Sequence, residues 1–301
     1  MAHWLVVTTL SPVDSAGHRY VLTLGCPDTT GIVARISGFL AEIGGWIVEA
    51  AYHSDPDNGW FFTRQAVRAD SVQMDVDELR ARFESEVVAG LGPETEWRVS
   101  DSAVPKKTVL LVSKEGHCLG DLLGRSYRGE LPAEINAVIG NHRALEDFTT
   151  RMGVPFHHVP FGEDKAAAFE ELRELVDVHN PDAVVLARFM QILPEELCDH
   201  WARKALNIHH SFLPSFVGAR PYHQAFTRGV KLIGATCHYV TSELDAGPII
   251  EQDVIRIDHS DSVADMVRQG RDIEKLVLAR GLRWHLEDRV LVHGRKTVVF
   301  S

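Results

Sequence analysis

ALNIHHSFLPSFVGARPYHQAFTRGVKLIGATCHYVTSELDAG, residues Ala205–Gly247, contains two apolar runs that set the architecture. The first reads as a short buried strand that ends where Asn207, His209 and His210 appear. A loop with Pro214, Gly218 and Pro221 follows. The second β-like run, Lys231 to Val240, leads into a polar segment holding Asp245. In open α/β sheets, ligands bind just beyond the carboxyl ends of strands. An amide, an imidazole and a carboxylate are therefore expected together at the ends of two neighbouring elements.

Such a set suits transfer from an acyl or formyl group. The Asn207 amide can donate hydrogen bonds to an oxygen that turns negative in a tetrahedral intermediate, worth roughly 3 to 4 kcal/mol per donor. His209 titrates near neutrality, so it can move a proton or, when charged, help hold that oxygen. Asp245 can fix the imidazole and stabilise its cation. No serine or cysteine nucleophile is required, and the scattered histidines give no reason to invoke a metal.

Outward from this stretch, strands alternate with helices. Thr108–Val112, Ala133–Ile139, Phe156–Val159 and Ala183–Ala187 read as strands, with helices near Arg143–Met152 and Asp164–Val178. Asp261 and Ser262 can cap a last helix running through Val267, Ile273, Leu276, Val277 and Leu282. The alternation implies a doubly wound, mostly parallel α/β domain over residues 108–301. A polar linker, 101–107, precedes it, with Pro105 marking the break.

Residues 1–100 carry a different pattern. Tyr20–Gly25 is a short strand, and Asp28, Thr29 and Thr30 stand where they can cap a helix. Ile32, Ile36, Phe39, Leu40 and Ile43 then recur at helical spacing until Gly44 and Gly45 stop the helix. Strands Trp46–His53 and Trp60–Val67 flank an Asp-Pro-Asp-Asn-Gly turn, and a second helix and strand follow. The order is the βαββαβ of a ferredoxin-like module.

Composition bounds the rest. A chain of 301 residues, 45% hydrophobic and 24% charged, is an ordinary globular protein of one or two domains. A formal net charge of −11 argues against nucleic acid or an anionic membrane as partner. Cys26, Cys118, Cys198 and Cys237 are scattered and read as reduced thiols of a cytoplasmic protein. The opening MAHWLVVTTLSPVDSAGH lacks the charged start and long apolar core of a signal peptide.

The motifs Asn207, Ile208, His209, Ser211, Leu213, Pro214, then Gly234, Ala235, Thr236, His238, and finally Asp245, Gly247, Pro248, Ile249, Ile250 resemble the formyltransferase family that uses 10-formyltetrahydrofolate. The resemblance spans roughly the last two thirds of the chain. It implies that Asn207, His209 and Asp245 form the catalytic set and that a tetrahydrofolate derivative is the substrate, with no bound cofactor and no metal. It also implies a substrate pocket of Arg188, Met190, Ile192, Leu193, His210, Val240, Thr241, Ser242 and Gly247. Folate is anionic, so Arg188, Arg220 and Lys231 are candidates for local positive charge.

His210 stands where many members have proline, and in this it resembles the hydrolase branch. That branch releases formate and tetrahydrofolate, supplying formate for purine synthesis and balancing the one-carbon pool. The loop after the first strand of this domain bears on the same point. Where the purine-pathway transferase cradles a substrate phosphate, this chain keeps Ser113 and Gly116 but carries Lys114, Glu115, His117 and Cys118. A carboxylate there disfavours phosphate, which makes Gly116, His117 and Cys118 a specificity loop. A transferase to a small amine such as glycinamide ribonucleotide, and a non-catalytic folate or amino-acid sensor, stand as alternatives. Formylation of initiator tRNA would need a further basic domain.

Pro27, Asp28, Gly31, Ile32 and Val33, with Gly44 and Gly45, resemble the ACT domain, a small regulatory module that commonly binds amino acids. This implies an effector site including Asp28, Gly31, Ile32 and Gly44, with glycine and methionine as candidate effectors. It also implies a homo-oligomer, dimer or tetramer.

Overall fold

Two units divide the chain, Met1–Val104 and Pro105–Ser301. The structure, a computed structural model, describes residues 17–215 and 221–301. The segment before Gly17, read above for a signal peptide, and the loop residues Gly218 and Arg220 lie outside the described residues.

The first unit comprises β1 (Arg19–Pro27), α1 (Ile32–Glu42), β2 (Ile47–Asp55), β3 (Trp60–Arg68), α2 (Val76–Glu86) and β4 (Glu96–Asp101). The strands form one antiparallel sheet in the order β2-β3-β1-β4, the ferredoxin-like arrangement. Helical spacing buries Ile32, Ile36, Phe39 and Leu40 of α1 against Leu22, Leu24 and Phe83. Asp75 caps α2 by accepting from the backbone N–H groups of Asp77 and Glu78, worth about 1 kcal/mol. The expected cap of α1 by Asp28 or a threonine does not form. Its N-cap is Gly31 at φ 95°, with no side-chain cap bond, and the Asp28 carboxylate accepts from the Ser54 hydroxyl instead.

The second unit runs β5 (Lys106–Val112), α3 (His117–Tyr127), β6 (Ala133–Gly140), α4 (Glu146–Arg151), β7 (Phe156–His158), α5 (Lys165–Asp177), β8 (Ala183–Leu186), α6 (Glu195–His200) and β9 (Ala205–His209). It continues through α7 (Pro221–Arg228), β10 (Leu232–Tyr239), β11 (Ile249–Arg256), α8 (Val263–Leu286), β12 (Val290–His293) and β13 (Lys296–Val299). Seven strands form one sheet, β11-β10-β9-β8-β5-β6-β7, parallel from β9 to β7 and antiparallel at β10 and β11.

β5 lies inside this sheet, and its apolar run Val109–Val112 is buried on both faces. Leu110 and Val112 pack with Leu122 and Val277, while Val109 and Leu111 pack with Leu172 and Val176. Ser262 caps α8 in a reciprocal capping box with Asp265.

The linker is shorter than residues 101–107. Asp101 still pairs with Tyr20, and Lys106 already pairs with Ala133, so only Ser102–Pro105 lie between strands. From β5 the chain steps to β6 on one side, whereas β8 lies on the other. The loops leaving β5 and β8 therefore diverge, and the crevice between them is where this topology binds ligands.

Candidate active site

At that crevice lies a cavity of about 670 Å³ lined by Asn207, His209 and Asp245 together with Arg188, Met190, Ile192, Leu193, His210, Val240, Thr241 and Ser242. Asn207 and His209 come from β9, whose register against β10 sets His238 directly opposite Asn207. The loop after β9 is tied down by Thr236, whose hydroxyl donates to the Ser211 carbonyl at 2.9 Å and accepts from the Leu213 N–H at 3.1 Å. Thus the residues flanking Asn207 and His209 in the motif hold the loop.

His238 fixes the amide. Its Nδ1–H donates to the Tyr239 carbonyl at 2.8 Å, so its Nε2 accepts from the Asn207 amide nitrogen at 3.2 Å. Burial, above all, pushes the His238 pKa down and keeps the ring neutral in that tautomer. One amide hydrogen of Asn207 is thereby spent, and the other is left for an oxygen in the cavity.

His209 is 5% exposed, and its Nδ1 meets Asp245 Oδ1 at 3.2 Å. Its Nε2 is buried without a hydrogen-bond partner. Burial alone would raise the Asp245 pKa, but the hydrogen bond and charge of His209 outweigh it and hold the carboxyl below its usual value. Asp245 takes φ 55° and Arg188 φ 65°, left-handed conformations uncommon for residues other than glycine. Two non-glycine residues held this way in one cavity fit a built site.

A second polar cluster adjoins the first. Glu274 on α8, 1% exposed, accepts from the Tyr222 hydroxyl at 2.7 Å and from His117 Nε2 at 2.8 Å, with Arg188 Nε at 3.5 Å. Burial would raise its pKa, yet His117, Arg188 and Tyr222 together hold it down. Tyr222 is pushed up, first by burial and then by the Glu274 charge, so it remains a donor. His210, 6.2 Å from the Tyr222 ring and 5.2 Å from that of His209, is driven to about 4 by burial and by the Arg188 charge.

Gly270 makes this packing possible. A Cβ there would lie 2.1 Å from the Tyr222 hydroxyl, and mid-helix glycine costs about 0.5 to 1 kcal/mol relative to alanine. Sequence reasoning missed Glu274 and Tyr222, because α8 reads as an amphipathic helix and a lone Glu on it as solvated. The missing signal is pairwise, the coincidence of Gly270 and Glu274 one turn apart.

Other expected residues fall elsewhere. Gly247 does not line the cavity, and a Cβ there would strike the Tyr239 carbonyl oxygen, so glycine is needed for close backbone approach. Cys118 lies in the core beside Leu119 and Leu122 rather than in a specificity loop, and burial raises its thiol pKa well above the usual value. Gly116 starts α3 against Leu145. His117 does not line the cavity and touches it through Glu274 at 2.8 Å, with Glu115 at 3.8 Å on its other nitrogen.

Lys231 is exposed and outside the lining, and Arg188 is directed at Glu274. Arg271 lines the cavity and pairs with Glu115 at 2.6 Å. Donor atoms of His117, Cys118 and Glu274 lie within 4.8 Å of one another, a spacing a metal would need. The hydrogen bonds of Glu274 and the protonated thiol account for the cluster without one. In the first unit, Ile32 is 2% exposed core, while Gly31 and Gly44 hold φ 95° and 72°, so all three have structural reasons.

Residues 106–282 match the formyl transferase family. Over 93% of this chain and 93% of the relative, identity is 45% to the formyltetrahydrofolate deformylase of Bacillus subtilis. The chain belongs to the formyltetrahydrofolate deformylase family. The crystal structure of a formyltetrahydrofolate deformylase from Pseudomonas syringae pv. tomato superposes with a TM-score of 0.92 at 56% identity, covering 94% of this chain and 95% of that one. Glycinamide ribonucleotide transformylase 1 from Symbiobacterium toebii is more distant, with a TM-score of 0.62 and 29% identity over 65% of this chain and 94% of its own. Among the described residues, no helix is long and apolar enough to cross a membrane.

Proposed function

We propose that this chain hydrolyses 10-formyltetrahydrofolate to formate and tetrahydrofolate. The observation that carries this is the pairing, in one cavity, of a pinned Asn207 amide with a His209 whose Nε2 is buried and unpartnered. Nearly full-length similarity to formyltetrahydrofolate deformylases supports it over transfer to an amine. Water attacks the formyl carbon while His209 Nε2 takes its proton, Asp245 holding the resulting imidazolium through Nδ1. The carbonyl oxygen becomes an oxyanion that the remaining Asn207 N–H stabilises. As the carbon–nitrogen bond breaks, the folate nitrogen receives the proton from His209, and formate leaves. The folate is substrate, so the scheme uses no further cofactor.

The folate ring is assigned to the segments 186–193 and 240–244. There Ser113 accepts from the Met190 N–H at 3.0 Å, and Met190 and Ile192, 58% and 68% exposed, line the cavity. Four buried, unpaired cysteines fit a reducing cytoplasm. For the ferredoxin-like unit, a small amino-acid effector such as glycine or methionine and pairing into a dimer or tetramer are proposed. The exposed apolar residues Val48 and Tyr52 on edge strand β2, with Trp46 just before it, support pairing.

Incubation with 10-formyltetrahydrofolate, with and without glycinamide ribonucleotide, should yield formate and tetrahydrofolate in equal amounts regardless of the amine. Formylated amine without formate would overturn the reading.

A further inference from the structure

The formyl carbon must sit within reach of Asn207 and His209, and the folate ring needs the apolar lining. The attacking acceptor must therefore approach along the polar lining, of which His210, Tyr222, Arg188 and Glu274 form one connected part. A nucleophile approaching there meets Glu274, the buried carboxylate of that part of the lining. Both oxygens of Glu274 are already engaged, Oε1 by Tyr222 and Oε2 by His117, with Arg188 beside Oε2.

We propose that Glu274 is a positioning residue that biases this lining toward water as acceptor: it holds Tyr222 and His117 by hydrogen bonds, with Arg188 beside it, and so sets the wall along which the acceptor approaches. The proposal rests on the hydrolase reading and names what restricts its acceptor. Two observations carry it independently of charge. Tyr222 reaches Glu274 only because Gly270 leaves the space its hydroxyl occupies, and the Tyr222 ring in turn packs against His210, which packs against His209. Repositioning Glu274 therefore moves the side chains next to the reacting atoms, not merely a remote part of α8.

The test uses the full-length protein and hydroxylamine, a small amine nucleophile, as competing acceptor. Formate and formylated hydroxylamine are quantified from 10-formyltetrahydrofolate for the unaltered chain, Glu274→Gln and Gly270→Ala. Gln keeps the size of Glu but offers one oxygen in place of two, and its NH2 opposes one of the donors. Ala at position 270 drives the Tyr222 ring from its place, and because that overpacking itself costs about 1 to 3 kcal/mol, Glu274→Gln, which keeps the side-chain volume, is the variant that decides if Gly270→Ala does not fold.

Both variants should raise the ratio of formylated amine to formate at least about tenfold, with lowered kcat for hydrolysis and a folate KM within about twofold of the original. A partition ratio unchanged in both would overturn the proposal, as would a rise in KM with kcat intact. No formate from the unaltered chain would instead overturn the hydrolase reading itself, so the two failures are distinguishable.

Discussion

The apolar and polar linings of the cavity are prepared in opposite ways. Met190 and Ile192 are 58% and 68% exposed, anchored through main-chain contacts such as the bond from the Met190 N–H to Ser113, and their apolar surface waits for a partner. On the polar lining, His209 is 5% and Glu274 1% exposed, with both Glu274 oxygens and the His209 Nδ1 already engaged. His209 Nε2, like Arg188 Nε, is buried without a hydrogen-bond partner, and it is where a proton must be taken. The contrast assigns binding energy to one lining and chemistry to the other. An apolar lining gains affinity by burying a flat ring, roughly 25 cal/mol per Å². A preorganised polar lining gains rate, because its dipoles are aligned before charge develops.

The strongest way to break this contrast is to remove the oxyanion donor. Asn207→Ala should lower kcat by about 10²- to 10³-fold with little change in KM, measured by steady-state formate release. An effect confined to KM would place Asn207 with the binding lining. Asp245→Asn comes next. An amide keeps an acceptor for His209 but not the charge that stabilises its cation, so kcat should drop on the order of 10²-fold while the thermal midpoint changes little.

A third test concerns stability rather than rate. His210 is neutral in the fold down to about 4, whereas the unfolded ring protonates near 6.5. The unfolded state therefore binds the extra proton first, and stability falls as pH drops from 6.5 toward 4, by about 3 kcal/mol from this residue. Denaturant titrations of His210→Asn should show that slope reduced by this residue's share, the remainder including that of His238, whose pKa burial also lowers. A slope identical in both proteins would mean the ring is solvated. The smallest effect is expected on the apolar lining: Ile192→Ala should raise folate KM about fivefold and leave kcat alone.

How much of this was legible in the sequence follows the same division. Asn207, His209 and Asp245 were readable because they cluster at the end of an apolar run, and β9 and β10 bring them together as that pattern required. The sheet was readable too, since Val109–Val112 and Ala183–Leu186 are apolar on both faces. Helices α6 and α7, of 6 and 8 residues, were not, because they are too short to establish a period. Strand β11 was missed because an edge strand half in solvent carries Glu251, Gln252 and Asp253 among its apolar residues.

Gly247 and Cys118 were assigned to the substrate from the motifs around them, and the fold uses one for backbone approach and the other for core volume. Glu274 was invisible for a plainer reason. Its partners Tyr222 and His117 lie 52 and 157 positions away, and only folding makes them neighbours.

The central claim, that water is the acceptor at the polar lining, is tested most directly by running the reaction in isotopically labelled water and weighing the products. Every formate released should carry one oxygen from the solvent, with tetrahydrofolate formed in equal amount and no dependence on added amine. Formate without solvent oxygen, or a formylated amine in its place, would contradict the account.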